Sequence, residues 1–241
     1  TSEPVAVGEV AGRRVAFLPR HGRAQSLPPG SIPARANAWA LASLGVRGIV
    51  SSAAVGSLDP ALPPATLVIP DQLLDRTRHR ADTFFDGTVP GEPVRHLPLA
   101  DPFCPVLRRA AASAAPDAHA GATVAVIEGP RFSTRAESLS LRGDGAHLVN
   151  MTLFPEVALA AELGIGTVTL CVVTDMDAGV SEGDETVSAD VVYERFAAAL
   201  PGVVAAVEGT IAAIPADYAG RALLDDGARA DVLGRAASGR T

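Results

Sequence analysis

Six short runs of apolar, largely β-branched residues recur along this chain, and each is bounded by glycine, proline or polar residues. They cover residues 15–18, 48–51, 67–69, 124–127, 148–150 and 168–173. Their length predicts strands, and their continuous rather than alternating apolar character is typical of strands that are covered on both faces. This pattern favours a sheet that lies between layers of helices.

Three helical patterns separate or follow these runs. Residues 34–44 carry apolar side chains at helical spacing and stop before a glycine, as a helix end often does. Residues 155–163 begin with proline and glutamate, which favour a first helical turn. A longer pattern covers residues 188–214, with Ser188 as its N-cap and with Pro201 expected to break or kink the helix.

Strands and helices do not alternate strictly, so the order favours an α/β fold with a mixed sheet over a regular Rossmann fold. We expect a three-layer α/β/α sandwich whose central sheet is partly barrel-like. The Pro- and Gly-bearing stretches at residues 26–33 and 86–93 are short enough to be loops. A single domain over residues 1–241 is therefore expected, with residues 216–241 forming a terminal helix or tail.

The composition argues against several classes of partner. A formal net charge of −7 and a pI near 5.2 disfavour binding to a nucleic-acid backbone. The two cysteines, Cys104 and Cys171, form neither a disulfide framework nor a metal-ligand spacing. We find no stretch of about 20 apolar residues that would span a bilayer, and the first ten residues do not read as a signal peptide. We expect a soluble cytoplasmic protein that contacts no membrane.

Two segments that follow predicted strands are suited to an anion. Residues 19–22 read Pro-Arg-His-Gly, so that Arg20 and His21 offer cationic donors beside a glycine. An ordinary exposed turn would have the same sequence. Residues 51–58 are small, and the backbone at Ala53 and Ala54 can donate N–H groups to an oxyanion. Tight packing between a strand and its loop would explain these small residues equally well.

Two further segments are suited to a nucleoside. Residues 128–138 place Phe132 among charged and hydroxylic side chains, where a ring can stack on a planar base. Residues 150–152 read Asn-Met-Thr, so that Met151 can line an apolar substituent and the Thr152 hydroxyl can donate to phosphate. Either Phe132 or Met151 could instead be a core residue.

Asp175 and Asp177 lie at the end of the last apolar run, two positions apart. Side chains at i and i+2 of a strand point the same way, roughly 7 Å apart. Crowded carboxyls raise each other's pKa, and a protonated carboxyl can donate a hydrogen bond to a ring nitrogen. Paired aspartates also bind metals, but no third carboxylate or histidine stands at a matching spacing.

Taken in order, these segments resemble the methylthioadenosine phosphorylase branch of the trimeric purine nucleoside phosphorylases. The resemblance covers residues 7–214 and is strongest at residues 19–22, 36–41, 71–77, 100–104, 128–138 and 150–152. It implies the nucleoside phosphorylase fold and a pentosyltransferase that uses inorganic phosphate as co-substrate, without metal or organic cofactor. It also implies a homotrimer.

The resemblance implies a role for each candidate residue. Phosphate would be held by Arg20, His21, Thr152 and the backbone of Ala53 and Ala54. Phe132 and Met151 would flank base and ribose, while Asp175 and Asp177 would contact the purine's N7 and exocyclic group as the catalytic residues. A pocket for the ribose 5' substituent would contain His96, Ser133 and Ala189.

Three hypotheses for the function follow. The small Ala189 and the paired aspartates favour 5'-methylthioadenosine or another 5'-deoxy-5'-substituted adenosine. The alternatives are a phosphorylase of 6-oxopurine nucleosides such as inosine and a non-catalytic nucleoside-binding homologue.

The chain departs from the family pattern at several positions. The family's N-terminal strand and Gly-rich phosphate loop are not among these residues, and we expect them to precede Thr1. Ala53 replaces a hydroxyl or thiol residue, residues 25–26 replace a histidine, and residues 64–66 replace a Pro-Gly-Asp turn. These changes reduce the phosphate and ribose contacts.

Overall fold

The computed structural model describes residues 1–180 and 188–235. Its strands are β1 (Ala6–Val10), β2 (Arg13–Phe17), β3 (Gly48–Ser57), β4 (Leu67–Ile69), β5 (Gln72–Arg76), β6 (His119–Ala120), β7 (Thr123–Ile127), β8 (Leu148–Asn150) and β9 (Gly166–Met176). Its α-helices are α1 (Ala34–Ser43), α2 (Pro105–Ala114), α3 (Arg135–Gly143), α4 (Leu153–Glu162), α5 (Ala189–Ala213) and α6 (Asp226–Gly234). A 3-10 turn covers Pro29–Ser31.

Seven of these strands form one mixed sheet in the order β5-β7-β8-β3-β9-β4-β6. The central pair, β3 and β9, is parallel over ten residue pairs, whereas β8 and β4 run antiparallel to their central neighbours. The expected mixed α/β sheet is therefore confirmed. Within the described residues β3 pairs with β8 only at Gly56 and Ser57, so the rest of that edge borders an open cavity.

The sheet curls until its two outer pairs meet. β4 and β6 pair at one end of the order, and β5 and β7 pair at the other. Only two residues separate β4 from β5, and two separate β6 from β7. Hydrogen bonds of 3.0 Å from Gly121 N to Ile69 O and 3.1 Å from Asp71 N to Ala122 O continue the pairing across the bend. This closure accounts for the partly barrel-like sheet predicted from the sequence.

Helices cover both faces of β9, which explains its uninterrupted apolar run. Val168 and Leu170 pack with residues of α2 and α5. Cys171 and Val173, which have the opposite parity, pack with residues of α4. Because side chains alternate along a strand, these two groups lie on opposite faces, and the three-layer arrangement follows.

Several predicted elements extend or move in the structure. The run at residues 48–51 continues as β3 to Ser57, so residues 51–58 are mostly strand rather than loop, because pairing with β9 outweighs the low strand propensity of Ala and Gly. The run at residues 15–18 becomes β2, which pairs with β1 in a separate two-stranded sheet. The sequence did not predict β1, β5, β6, α2 or α3.

The predictions for α5 need two corrections. Pro201 lies inside the helix without breaking it, since α5 packs along α2, β3 and β9. An 18-residue window of this 25-residue helix also has a mean hydropathy of 1.6, which reaches the level of a membrane span because alanine and valine dominate it; the sequence analysis found no such stretch. Core helices pass the same test of length and composition, although only 22% of this stretch is buried.

The expected terminal helix is present as α6, and residues 236–241 lie outside the described residues.

Candidate active site

A cavity of about 1560 Å³ extends along β3 from Gly48 to Gly56 and reaches the ends of β8 and β9. Eleven of the twelve predicted site residues line it. Those predicted for phosphate are Arg20, His21, Ala53, Ala54 and Thr152. Those predicted for the nucleoside are Phe132, Ser133, Met151, Asp175, Asp177 and Ala189. The structure thus brings together residues that are up to 169 positions apart in the chain, from Arg20 to Ala189.

His96 is the exception. It is exposed on the loop between β5 and α2 and does not line this cavity. Its predicted contact with the ribose 5' substituent is therefore not made within a single chain of the structure.

Arg20 forms the cationic end of the cavity. Its Nη2 donates to the Ser52 carbonyl at 3.0 Å, and its Nη1 donates to the Thr152 hydroxyl at 3.5 Å. The same Nη1 lies 3.1 Å from a carboxylate oxygen of Glu156 in the first turn of α4. Arg20 is thus fixed against β3 and α4 at a mostly buried position, where an incoming anion meets a cation that is already oriented.

His21 is held beside Arg20 by a compact turn. Gly22 N donates to Pro19 O at 2.9 Å, and Gly22 takes a φ of +79°, a conformation that side chains other than glycine rarely adopt. The His21 Nδ1 lies 2.9 Å from the Leu27 carbonyl, which can only accept. Nδ1 therefore carries the proton, and Nε2 is left to contact an anion or its O–H group.

Asn150 organises the turn that presents Met151 and Thr152. Its Oδ1 accepts from the backbone N–H groups of Thr152 and Leu153 at 2.7 and 2.9 Å, and from the Thr152 hydroxyl at 3.2 Å. Its Nδ2 donates to the Ala54 carbonyl at 3.1 Å. One amide side chain thereby joins β3 to the start of α4 at the phosphate end of the cavity.

Met151 and Phe132 also line the cavity. Gly129 makes room for the thioether: it has a φ of +65°, and a Cβ atom on it would lie 2.5 Å from the Met151 sulfur. The Ser133 hydroxyl is buried nearby and lies close enough to Asp177 to lower the pKa of that carboxyl, although it makes no hydrogen bond of normal geometry. This region therefore combines an apolar wall with a hydroxyl that faces the acidic pair.

The acidic end is formed by Asp175 and Asp177, both of which are buried. Burial and the neighbouring Asp177 raise the pKa of Asp175 to about 6, although the Thr174 hydroxyl and Arg195 oppose the shift. Burial also raises the pKa of Asp177, against the effect of the Ser138 hydroxyl, which donates to it at 2.6 Å. The pair can therefore hold a proton near neutral pH, as a hydrogen-bond donor to a base nitrogen requires.

Gly56 allows the two carboxyls to approach β3. A Cβ atom there would lie 3.1 Å from an Asp175 carboxylate oxygen and 3.5 Å from the Asp177 Cβ. Ser52, which accepts from Arg20, lies four residues earlier on the same strand, and four residues of strand measure roughly 13 Å. A ligand with an anion at one end and a planar base at the other would span this distance.

The described residues contain no group of three His, Cys, Asp or Glu side chains arranged to hold a metal ion.

Sequence reasoning missed several residues that support the site. Asn150 and Glu156 stood within the segments quoted above, but their contacts with Ala54 and Arg20 were not foreseen. Ser138 and Arg195 contact Asp177 and the Thr174 carbonyl from helices far along the chain. No local signal marks such long-range contacts.

Comparison with known proteins identifies the family. Residues 1–211 match the model of the phosphorylase superfamily. A purine nucleoside phosphorylase of Streptomyces coelicolor is 49% identical over 225 residues, covering 89% of this chain and 79% of the relative. An S-methyl-5'-thioadenosine phosphorylase of Mycobacterium tuberculosis is 50% identical over 191 residues, covering 79% of this chain and 70% of the relative.

Solved structures agree with the sequence comparison. A methylthioadenosine phosphorylase from Schistosoma mansoni in complex with adenine superimposes with a TM-score of 0.83 at 33% identity, covering 98% of this chain and 87% of that one. The sheet, the cavity and the sequence matches agree: the chain belongs to the phosphorylase superfamily.

Proposed function

We propose that the protein cleaves the bond between base and sugar of 5'-methylthioadenosine, or of another 5'-deoxy-5'-substituted adenosine, with inorganic phosphate. The products are the free purine and the 5-modified ribose 1-phosphate. One observation carries the proposal: Arg20 and the Asp175–Asp177 pair line a single cavity at opposite ends of the Ser52–Gly56 stretch of β3, and Met151 and Phe132 line the same cavity.

At the cationic end, Arg20, His21 and Thr152 hold phosphate beside the sugar. Phosphate attacks the anomeric carbon as the bond to the base breaks, and the sugar gains oxocarbenium character. The anion stabilises this developing positive charge. Because Arg20 is held by Ser52, Thr152 and Glu156 before phosphate arrives, little reorganisation is needed during the reaction.

At the acidic end, Asp175 and Asp177 share one proton when the nucleoside binds. The protonated carboxyl donates to N7, and the ionised one accepts from the 6-amino group. As the base leaves, N7 becomes more basic and the hydrogen bond from the acid strengthens. This interaction therefore acts on the transition state more than on the bound substrate.

Phosphorolysis of a 6-oxopurine nucleoside is the second candidate, and the name of the Streptomyces coelicolor relative favours it. A 6-oxo group accepts hydrogen bonds, so both carboxyls would need to donate. Because the pKa values of Asp175 and Asp177 are both raised, the two carboxyls can both be protonated at low pH. At neutral pH we expect the two carboxyls to share one proton, which gives one donor for N7 and one acceptor for the 6-amino group and therefore matches a 6-amino base better.

The ribose 5' substituent would face Ser133 and the small Ala189 at the start of α5. His96 can join this pocket only if another copy of the chain supplies it, which agrees with the homotrimer we expect. We further propose that the enzyme acts in the cytoplasm.

The test is release of base from 5'-methylthioadenosine and from inosine, each with and without phosphate. We expect adenine release that requires phosphate and exceeds hypoxanthine release. Faster release from inosine would favour the second candidate. No base release from either nucleoside, with binding retained, would point to the non-catalytic homologue.

A further inference from the structure

Arg80 is a permanently charged residue that the chain buries outside the cavity. It lies four residues after β5, behind a turn in which His79 takes a φ of +59°. Its side chain is only 7% exposed, and it does not line the cavity. A buried guanidinium is costly unless its N–H groups find acceptors, so its contacts must explain its position.

All five N–H groups of Arg80 have an acceptor. Nη1 donates to the carbonyls of Met151 at 2.9 Å and Phe154 at 2.7 Å. Nη2 donates to the carbonyls of Glu128 at 2.8 Å and Ile127 at 3.4 Å. Nε donates to the Glu128 carboxylate at 3.1 Å. The guanidinium of Arg80 thus connects the segment that ends β7 to the segment that leads into α4.

These two segments carry the nucleoside-binding side chains. Met151 belongs to one, and the segment from Glu128 leads directly to Phe132 and Ser133. We propose that Arg80 is a positioning residue that sets the distance between these two walls of the nucleoside pocket. The inference rests on the function proposed above, because it assumes that this part of the cavity binds the nucleoside.

The phosphate end has supports of its own. Arg20 is held by Ser52 and Glu156, and the Thr152 hydroxyl is held by Asn150. Loss of Arg80 should therefore affect the nucleoside more than phosphate. A purely structural role would lower stability without separating the two substrates.

The test uses Arg80→Lys and Arg80→Met, with Arg229→Lys and Arg229→Met as matched controls. Arg229 also donates to three backbone carbonyls, those of Ala42, Val46 and Leu163, but it joins none of the segments that carry the predicted site residues. For each folded variant we would measure kcat, the KM of each substrate, adenine affinity by calorimetry and the free energy of unfolding.

We expect both Arg80 variants to raise the KM of the nucleoside and weaken adenine binding by at least about tenfold, while the KM of phosphate changes less than about threefold. Lysine should restore part of the loss, since it keeps the charge and up to three donors. The Arg229 variants should lose stability alone.

The positioning role is overturned if the Arg80 variants match the Arg229 variants, if both KM values rise together, or if neither Arg80 variant folds. A wild-type enzyme that releases no base and binds no adenine would instead refute the proposed function.

Discussion

The Ser138 hydroxyl, on α3, donates a hydrogen bond of 2.6 Å to the carboxylate of Asp177, just beyond β9. Both groups are buried. The helix is held in place by a capping box in which the Thr134 side chain accepts from Glu137 N. The position of α3 therefore affects the pKa of Asp177, a residue that we assign to base recognition.

Removing this donor should change the pH dependence of the enzyme. The hydrogen bond favours the ionised form of Asp177, so Ser138→Ala should raise the pKa of that carboxyl further. We expect the acid limb of the kcat/KM profile to move up by about one pH unit. Ser140→Ala, on the exposed face of the same helix, serves as the control. An unchanged acid limb in Ser138→Ala would show that Asp177 is not the ionised partner.

Asp175→Asn should separate stability from activity. The pKa of Asp175 is raised from 3.8 to about 6 in the folded protein, so folding favours the protonated carboxyl. The folded protein is therefore most stable below pH 3.8, where the carboxyl is protonated in both states, and it loses stability as the pH rises through 6 and the buried carboxyl ionises. Asparagine never ionises. We expect the variant to be more stable than wild type at pH 7.5, by up to about 3 kcal/mol, and to show little gain near pH 4.

Urea unfolding at both pH values measures this gain, with the exposed Asp101→Asn as control. In assays, Asp175→Asn should lose turnover of 5'-methylthioadenosine more than of inosine. An amide cannot transfer a proton to N7 of either base, but a 6-oxo base delocalises the leaving charge onto its oxygen and so depends less on that proton. An unchanged ratio of the two rates would count against the role of Asp175.

Gly129→Ala should damage the nucleoside pocket. The added methyl group would meet the Met151 sulfur at 2.5 Å in a backbone of positive φ. We expect a loss of about 1–3 kcal/mol in the free energy of unfolding and a rise in the KM of the nucleoside. Gly143→Ala, where a Cβ atom meets nothing within 4 Å, should leave both the KM and the stability nearly unchanged or improve stability. A normal KM in Gly129→Ala would mean that Met151 does not contact the substrate.

Glu156→Gln should strengthen phosphate binding. The carboxylate lies 3.1 Å from Arg20 and repels an anion that binds the same guanidinium. Glutamine keeps an acceptor for Arg20 but removes the charge, so we expect the KM of phosphate to fall by about twofold to fivefold. Glu194→Gln, exposed on α5, is the control. An increased KM in Glu156→Gln would show that the carboxylate's hold on Arg20 outweighs its repulsion of phosphate.

The sequence predicted the parts of this fold that local patterns encode. Strands β4 and β8 have the predicted bounds, and α1 begins at the predicted residue, because each is a continuous apolar or helical pattern between breakers. β5 escaped prediction because polar residues interrupt it, and β6 because it has only two residues. The pairing of β6 with β4 and that of β5 with β7 each join segments that are distant in the chain, so no local pattern reveals them.

The site was predictable to the extent that its residues follow strands. Arg20, Thr152 and Asp175 lie at or near strand ends and meet in the cavity for that reason. The contacts of Arg80 and Arg195 depend on how loops and helices return to the sheet, which no local spacing reveals. His96 lies on such a loop, and its sequence position alone did not indicate its distance from the cavity.

The closed ring of strands constrains how this enzyme can change. With β4–β5 and β6–β7 joining the sheet to itself, a shift of register in one strand would force compensating shifts around the circumference. The seam between β3 and β8 has only two paired positions among the described residues, and the Asn150 amide bridges it at Ala54. Substitutions that adapt the enzyme to new substrates should therefore fall in the loops. Transient opening of the closed sheet should begin between β3 and β8.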